Sequence, residues 1–183
     1  MRRKIQKEDN TIKQRERKNK REEVREVREV KNQDKQKDNS NIITILCDTR
    51  EQLNYTFKKY PCKVERVTLK TGDYSLKGYE KDGITIERKS LQDLYQSFGQ
   101  GRERFEREWQ RMQDFEYAAI VIESTLTGIL TPPQYTRMLP RVIIQSLISW
   151  SIKYHVNVIY SDSRELSECY IFSLLEKFYK HHQ

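Results

Sequence analysis

Asp73, Glu87 and Lys89 are the residues whose types and spacing best support chemistry on a phosphodiester. Asp73 follows a Thr71-Gly72 turn, and Glu87 and Lys89 stand two residues apart on a β-branched run. Side chains alternate along a strand, so Glu87 and Lys89 share one face with Thr85, while Ile84 and Ile86 point the opposite way into the core. Lys81-Asp82-Gly83 is a tight-turn signal between the short run Tyr74–Leu76 and the run Ile84–Lys89. A hairpin there would bring Asp73 beside Glu87 at one sheet edge. Two carboxylates are hard oxygen ligands for Mg2+, for which Mn2+ substitutes, and these ions keep waters and a phosphate oxygen as their remaining ligands. Such an ion activates a water and orients a scissile phosphate. A lysine ammonium beside it can hold or help deprotonate the water, or balance charge in the transition state. Taken alone, Glu-x-Lys equally fits an ordinary ion cluster on a polar strand face.

The elements that must position these residues can be read from periodicity. Ile42–Cys47 is an apolar, β-branched run typical of a strand buried on both faces, and Lys63–Leu69 suggests a second strand. The Tyr74 and Ile84 runs supply the third and fourth. Ser90, with Asp93 three positions on, forms a capping-box pattern that starts a helix reaching about Met112, interrupted near Gly99 and Gly101. Ala118–Ile122 is a fifth strand, and Thr131-Pro132-Pro133 marks a loop. Pro140 opens a helix as its first residue and carries it to about Tyr154. Val156–Tyr160 is a sixth strand, and Asp162 with Glu165 caps a last helix ending near Lys180. This order predicts an α/β layered domain with a mixed sheet.

Charge divides the chain. It has 183 residues and a net charge of +8, and the first 40 residues hold 15 Lys or Arg against 9 Asp or Glu. Residues 1–39 carry too little apolar surface to offset chain entropy and read as a basic tail, transiently helical around Val24, Val27 and Val30. Either a solubilising segment or an electrostatic arm for nucleic acid fits it. The folded domain is then 40–183. Cys47, Cys62 and Cys169 have neither the density of a disulfide framework nor the paired spacing of a zinc site, which suits a reduced, intracellular protein. No apolar run approaches the roughly 18–20 residues needed to span a membrane, and the N-terminus lacks a secretory pattern. The expected location is the cytoplasm or nucleoid, or the nucleus in a eukaryote.

The stretch GDYSL…ITIERKSLQDL resembles the XPF/Mus81 family of structure-specific endonucleases, whose hallmark is Gly-Asp, a variable gap, then E-R-K-x-x-x-D. Gly72-Asp73 and Glu87-Arg88-Lys89-Ser90-Leu91-Gln92-Asp93 fill every specified position. Asp48-Thr49-Arg50-Glu51 is similar to that family's first-strand motif, and Gly101-Arg102 falls where relatives carry a basic residue on the following helix. The resemblance covers about residues 42–180. It implies a restriction-endonuclease-like fold of the PD-(D/E)XK type, a three-layer core with a mixed central sheet flanked by helices. It also implies a Mg2+-dependent DNA endonuclease acting on flaps, forks or branched DNA in repair or recombination. By the same resemblance Asp73 and Glu87 bind the metal with Asp48 in support, Lys89 serves the nucleophile, and Arg88 belongs to the catalytic signature. Arg50 and Arg102 contact DNA. Glu51, Ser90 and Asp93 are structural or supporting, and the capping box already accounts for Asp93. The chain ends at Gln183, directly after the last helix, which aligns the resemblance with short nuclease-only members. The rival expectations are a catalytically silent nuclease-like DNA-binding or docking subunit, and a restriction-type or resolvase-type nuclease.

The helix from about Arg141 carries Val142, Ile143, Ile144, Leu147, Ile148 and Trp150, more apolar circumference than one stripe requires. The last helix repeats this with Leu166, Tyr170, Phe172, Leu174, Leu175, Phe178 and Tyr179. A homodimer or heterodimer through these two helices would cover the excess.

Overall fold

A computed structural model describes residues 42–134 and 136–183. The tail expectations for residues 1–39 lie outside the described residues. Ile43–Gln183 forms one compact unit. Its six strands are β1 (Ile43–Asp48), β2 (Cys62–Val67), β3 (Tyr74–Leu76), β4 (Ile84–Ser90), β5 (Tyr117–Glu123) and β6 (Asn157–Tyr160). Five helices accompany them: α1 (Leu91–Phe98), α2 (Arg102–Met112), α3 (Leu126–Ile129), α4 (Pro140–Tyr154) and α5 (Arg164–His181).

The sheet order is β2-β1-β3-β4-β5-β6. β3 runs antiparallel to β1 and β4, while β1–β2, β4–β5 and β5–β6 are parallel. The sheet is therefore mixed, as the sequence pattern indicates. One expectation changes. The Asp73–Glu87 pair does not lie at a sheet edge, because β5 and β6 add beyond β4 and make it an interior strand. The site instead sits where the central strands end. The hairpin connection is also longer than a two-residue turn: it spans residues 77–83, closed by the Gly83 and Ile84 N–H groups donating to the Tyr79 carbonyl.

Alternation on the central strands feeds two cores. One packs Leu94, Phe98, Phe105, Trp109, Leu147 and Trp150 of α1, α2 and α4 against Ala118, Ile120 and Ile122 of β5. The other packs Ile171, Phe172, Leu175 and Phe178 of α5 against Ile45, Tyr74, Ile84, Ile86 and Val121. Helices thus cover both faces in three layers, which is why β1 and β5 read as near-continuous apolar runs. The exception is β2, an edge strand whose residues are half-buried or exposed.

Local signals explain the element ends. Pro140 stands at the first turn of α4, and His155 ends that helix in the left-handed conformation at φ 55°. The Gly99–Gly101 segment separates α1 from α2. The cap of α5 differs from expectation: Ser163, not Asp162, accepts the Leu166 N–H. Both are good N-cap residues, and the hydroxyl one position later has the reach. Among the described residues no helix is long and apolar enough to cross a membrane.

Candidate active site

Gly72 and Asp73 are clamped between β1 and β4. The Asp73 N–H donates to the Ile86 carbonyl at 2.9 Å, and the Asp73 carbonyl accepts the Asp48 N–H at 2.8 Å. The Asp73 carboxylate accepts the Arg88 N–H at 2.8 Å, standing in for a backbone partner. Gly72 has φ 74°, and a Cβ there would meet the Thr85 hydroxyl and the Ile86 carbonyl. Only glycine lets the chain press this closely onto β4 and deliver Asp73.

Glu87 and Lys89 face α2. The Lys89 ammonium lies 2.7 Å from Glu87 Oε1 and 4.7 Å above the Phe105 ring. Both side chains are about nine-tenths buried. Burial works against the lysine's charge, but adjacent Glu87 more than compensates and holds the Lys89 pKa above the ordinary lysine value. Lys89 is thereby kept as a cation, suited to orienting a water or neutralising a phosphate and poorly suited to taking a proton.

The carboxyls around it are under the opposite pressure. Burial, then the Glu87 charge, raises the Asp73 pKa well above the usual carboxylate range. The same two causes push Glu108, on α2, up to about 7. Glu108 has Arg111 at 3.9 Å toward the surface. Three carboxyls crowd one ammonium there, and a divalent cation, if bound, would favour their ionised forms together. Among the described residues no three His, Cys, Asp or Glu side chains gather closely enough to hold an ion by themselves.

Asp48 departs from its expected role as a third ligand. Its Oδ1 accepts the Arg50 N–H at 2.7 Å and Arg50 Nε at 2.8 Å, and its Oδ2 accepts Arg50 Nη2 at 2.9 Å and the Leu69 N–H at 2.7 Å. These bonds overcome burial and hold its pKa below the usual value. Asp48 organises the turn after β1 and reaches the site through its backbone bond to Asp73. Arg50, the expected DNA contact, spends its guanidinium on Asp48 and the Leu69 carbonyl.

Arg88 points away from Glu87, as strand alternation dictates. Alternation sends its guanidinium to the opposite face, where Nε and Nη2 grip both oxygens of Glu123 at 2.8 and 2.6 Å. Tyr55 donates its hydroxyl to the same Glu123 carboxylate, and Arg164 approaches at 3.2 Å. Glu51 stands 3.7 Å from Arg88 and accepts the Leu53 N–H at 2.6 Å. Arg88 touches the Asp73 side through its backbone N–H alone. Ser90 accepts the Asp93 N–H and donates to its carboxylate at 2.6 Å, a closed cap on α1.

Arg102 is engaged within the fold. Its guanidinium lies over Trp150 at 4.9 Å and Phe98 at 5.6 Å and donates to Ser146 at 3.1 Å, tying α2 to α4. Arg104 lines the cavity that reaches Lys89. Sequence reasoning missed Glu108, Glu123 and Arg104. Glu108 stands one helical turn from Phe105, which faces the sheet, so its spacing carried a signal. Glu123 ends an apolar strand at the same sheet end as Ser90.

The ERCC4 domain family matches residues 47–174. Among solved structures, XPF from Aeropyrum pernix is similar at 17% identity and a TM-score of 0.57, covering 76% of this chain and 61% of that one. XPF from Aeropyrum pernix in complex with DNA is similar at 20% identity and a TM-score of 0.59, covering 75% of this chain and 66% of that one. This chain thus spans about six-tenths to two-thirds of the length of these structures. Among curated proteins none matches.

Proposed function

The chain belongs to the ERCC4 domain family and has the restriction-endonuclease-like fold of the XPF nuclease domain, and on that premise we propose that it is a metal-dependent DNA endonuclease. Its substrate would be branched or flapped duplex, as in DNA repair or recombination. The observation that carries this proposal is the trio at the strand ends: half-buried Asp73 fixed by a glycine clamp beside buried Glu87, with buried Lys89 held charged 2.7 Å from Glu87. Asp73 and Glu87 would hold Mg2+, or Mn2+ in its place. When bound, that ion supplies a Lewis acid that lowers the pKa of a water and neutralises charge developing on the phosphate. The Arg88 N–H keeps the Asp73 carboxylate oriented. Lys89 presents a fixed positive charge to the attacking water or to the phosphate oxygen. Burial beneath α2 limits competing solvent and strengthens each of these interactions.

A panel of labelled flaps, forks, nicked junctions and plain duplexes, assayed with Mg2+, with Mn2+ and with chelator, tests the proposal. Cleavage should require the cation and favour branched substrates. Failure of every substrate to be cut would favour a silent DNA-binding subunit, and preference for plain duplex a restriction-type enzyme.

The enzyme would act as a homodimer, or as a heterodimer with a related chain, through α4, α5 and the β6 edge between them. Ile148 is 49% and Ile152 71% exposed on one side of α4, and Leu166 and Tyr170 are nearly half exposed on α5. These supply the apolar excess expected of a covered surface. Light scattering at micromolar concentration checks it: a monomer mass for active enzyme would rule the dimer out.

A further inference from the structure

A cavity of about 1480 Å³ opens from Lys89 between α1, the Gly99–Gly101 turn and the segment 133–142. We propose that it seats a single strand of the DNA substrate beside the scissile phosphate; this rests on the nuclease function proposed above and specifies the form of substrate that approaches Lys89 from this side. Three observations carry it. First, the cavity is larger than the pockets of small metabolites, which run about 300–1,000 Å³. The wall on the α1 side presents Gln92, Gln96 and Gln100, and Gln134 faces it from the other side. Each amide offers both donors and an acceptor, so it meets any base edge without demanding a sequence.

Second, the charge is right for a phosphate backbone. Lys89 stands at the inner end, and Arg104 and Arg137 line the way out. The carboxylate of the groove, Asp93, already accepts the Ser90 hydroxyl in the α1 cap. Beyond Val142 a smaller recess of about 350 Å³ adds Arg141. Third, the shape is concave. A recess between one helix and a chain segment admits a backbone with its bases turned inward, whereas a duplex offers a convex wall and is gripped by elements that project into its grooves. Met138 and Leu139 line the outer wall and give the base faces apolar contact.

Binding is measured by fluorescence anisotropy without divalent cation, on the full chain carrying Asp73→Asn so that no strand is cut. The probes are a labelled single-stranded oligonucleotide and the duplex of the same sequence. Replacing Arg104 and Arg137 by Gln should weaken single-strand binding about tenfold and lower its salt slope by about 1.4, at roughly 0.7 per phosphate neutralised. Duplex affinity should change by less than about twofold. Gln96→Trp, which fills the groove without removing a charge, should weaken the same complex. Equal losses on both probes, or no loss on the single strand, overturns the proposal, as does a groove-filling variant that binds normally. The nuclease function fails separately: an unsubstituted chain that cuts no DNA would remove it while leaving these binding differences intact.

Discussion

Arg88 and Lys89 are neighbours on β4 that meet opposite electrostatic surroundings. On one face Arg88 grips both oxygens of Glu123, with Tyr55, Glu51 and Arg164 closing the group. Positive and negative charges balance there without any visitor. On the other face Lys89 has Glu87 at 2.7 Å, and the Asp73 and Glu108 carboxyls crowd that pair, with only Arg111 at 3.9 Å from Glu108 on the surface side. A buried pair that is broken costs far more than an intact one contributes. The balanced face therefore behaves as scaffold, and the unbalanced face as a site that gives up stability for function.

The largest effect that would sharpen this contrast is catalytic. Asp73→Asn and Glu87→Gln should each reduce cleavage by on the order of 10³-fold or more, the scale of lost transition-state stabilisation at a preorganised site. Because Asp73→Asn relieves like-charge crowding, its thermal midpoint should hold or rise, whereas Glu87→Gln breaks the buried pair with Lys89 and should lower it. Undiminished Mg2+-dependent cleavage by Asp73→Asn would end the site assignment. Next comes the scaffold face. Glu123→Ala strands Arg88 in the interior and should cost about 3–5 kcal/mol in urea unfolding. A loss within 1 kcal/mol would mean that solvent reaches Arg88 freely.

A third, smaller effect is in pH. Asp73 and Glu108 have raised pKa values, so the folded chain keeps protons that the unfolded chain has released. Stability of the metal-free protein should therefore fall as pH climbs from the ordinary carboxylate range through about 7. Glu123 acts in the other direction: its pKa is lowered, and its contribution is present above the ordinary range and lost as pH falls through the folded value. Mg2+ should raise the melting temperature most at the alkaline end. Thermal scans of the parent and Glu108→Gln, with and without Mg2+, check this, and the variant should show a shallower alkaline decline. The smallest effect concerns Arg102. Arg102→Ala should lose about 1–2 kcal/mol of stability through its contacts with Trp150 and Phe98, while DNA affinity stays nearly constant. A loss of affinity at full stability would return Arg102 to the DNA surface.

The placement of Asp73, Glu87 and Lys89 was legible because its signals are local. Alternation fixes Glu87 and Lys89 on one face, and a glycine turn announces Asp73. Strand and helix boundaries followed from apolar period and from Ser90 and Pro140. What was not legible depends on partners distant in sequence. Nothing near Arg88 says that β5 will bring Glu123 beside it, and nothing near Arg102 says that α4 will offer Trp150. The interior position of β4 likewise depends on strands formed many residues later. Asp48 misled for a different reason. A carboxylate at a strand end suits a metal and a turn equally well, and here two residues downstream Arg50 takes both its oxygens.

The Arg88 N–H that ends on Asp73 Oδ2 gives the site a spectroscopic handle. That proton lies on the backbone of one electrostatic region and reports on a carboxylate of the other. A divalent ion on Asp73 would draw electron density from it, weaken this hydrogen bond and shift the Arg88 amide resonance upfield, even with the Arg88 side chain locked on Glu123. Following that one peak through a Mg2+ titration would measure occupancy directly, with no substrate and no turnover.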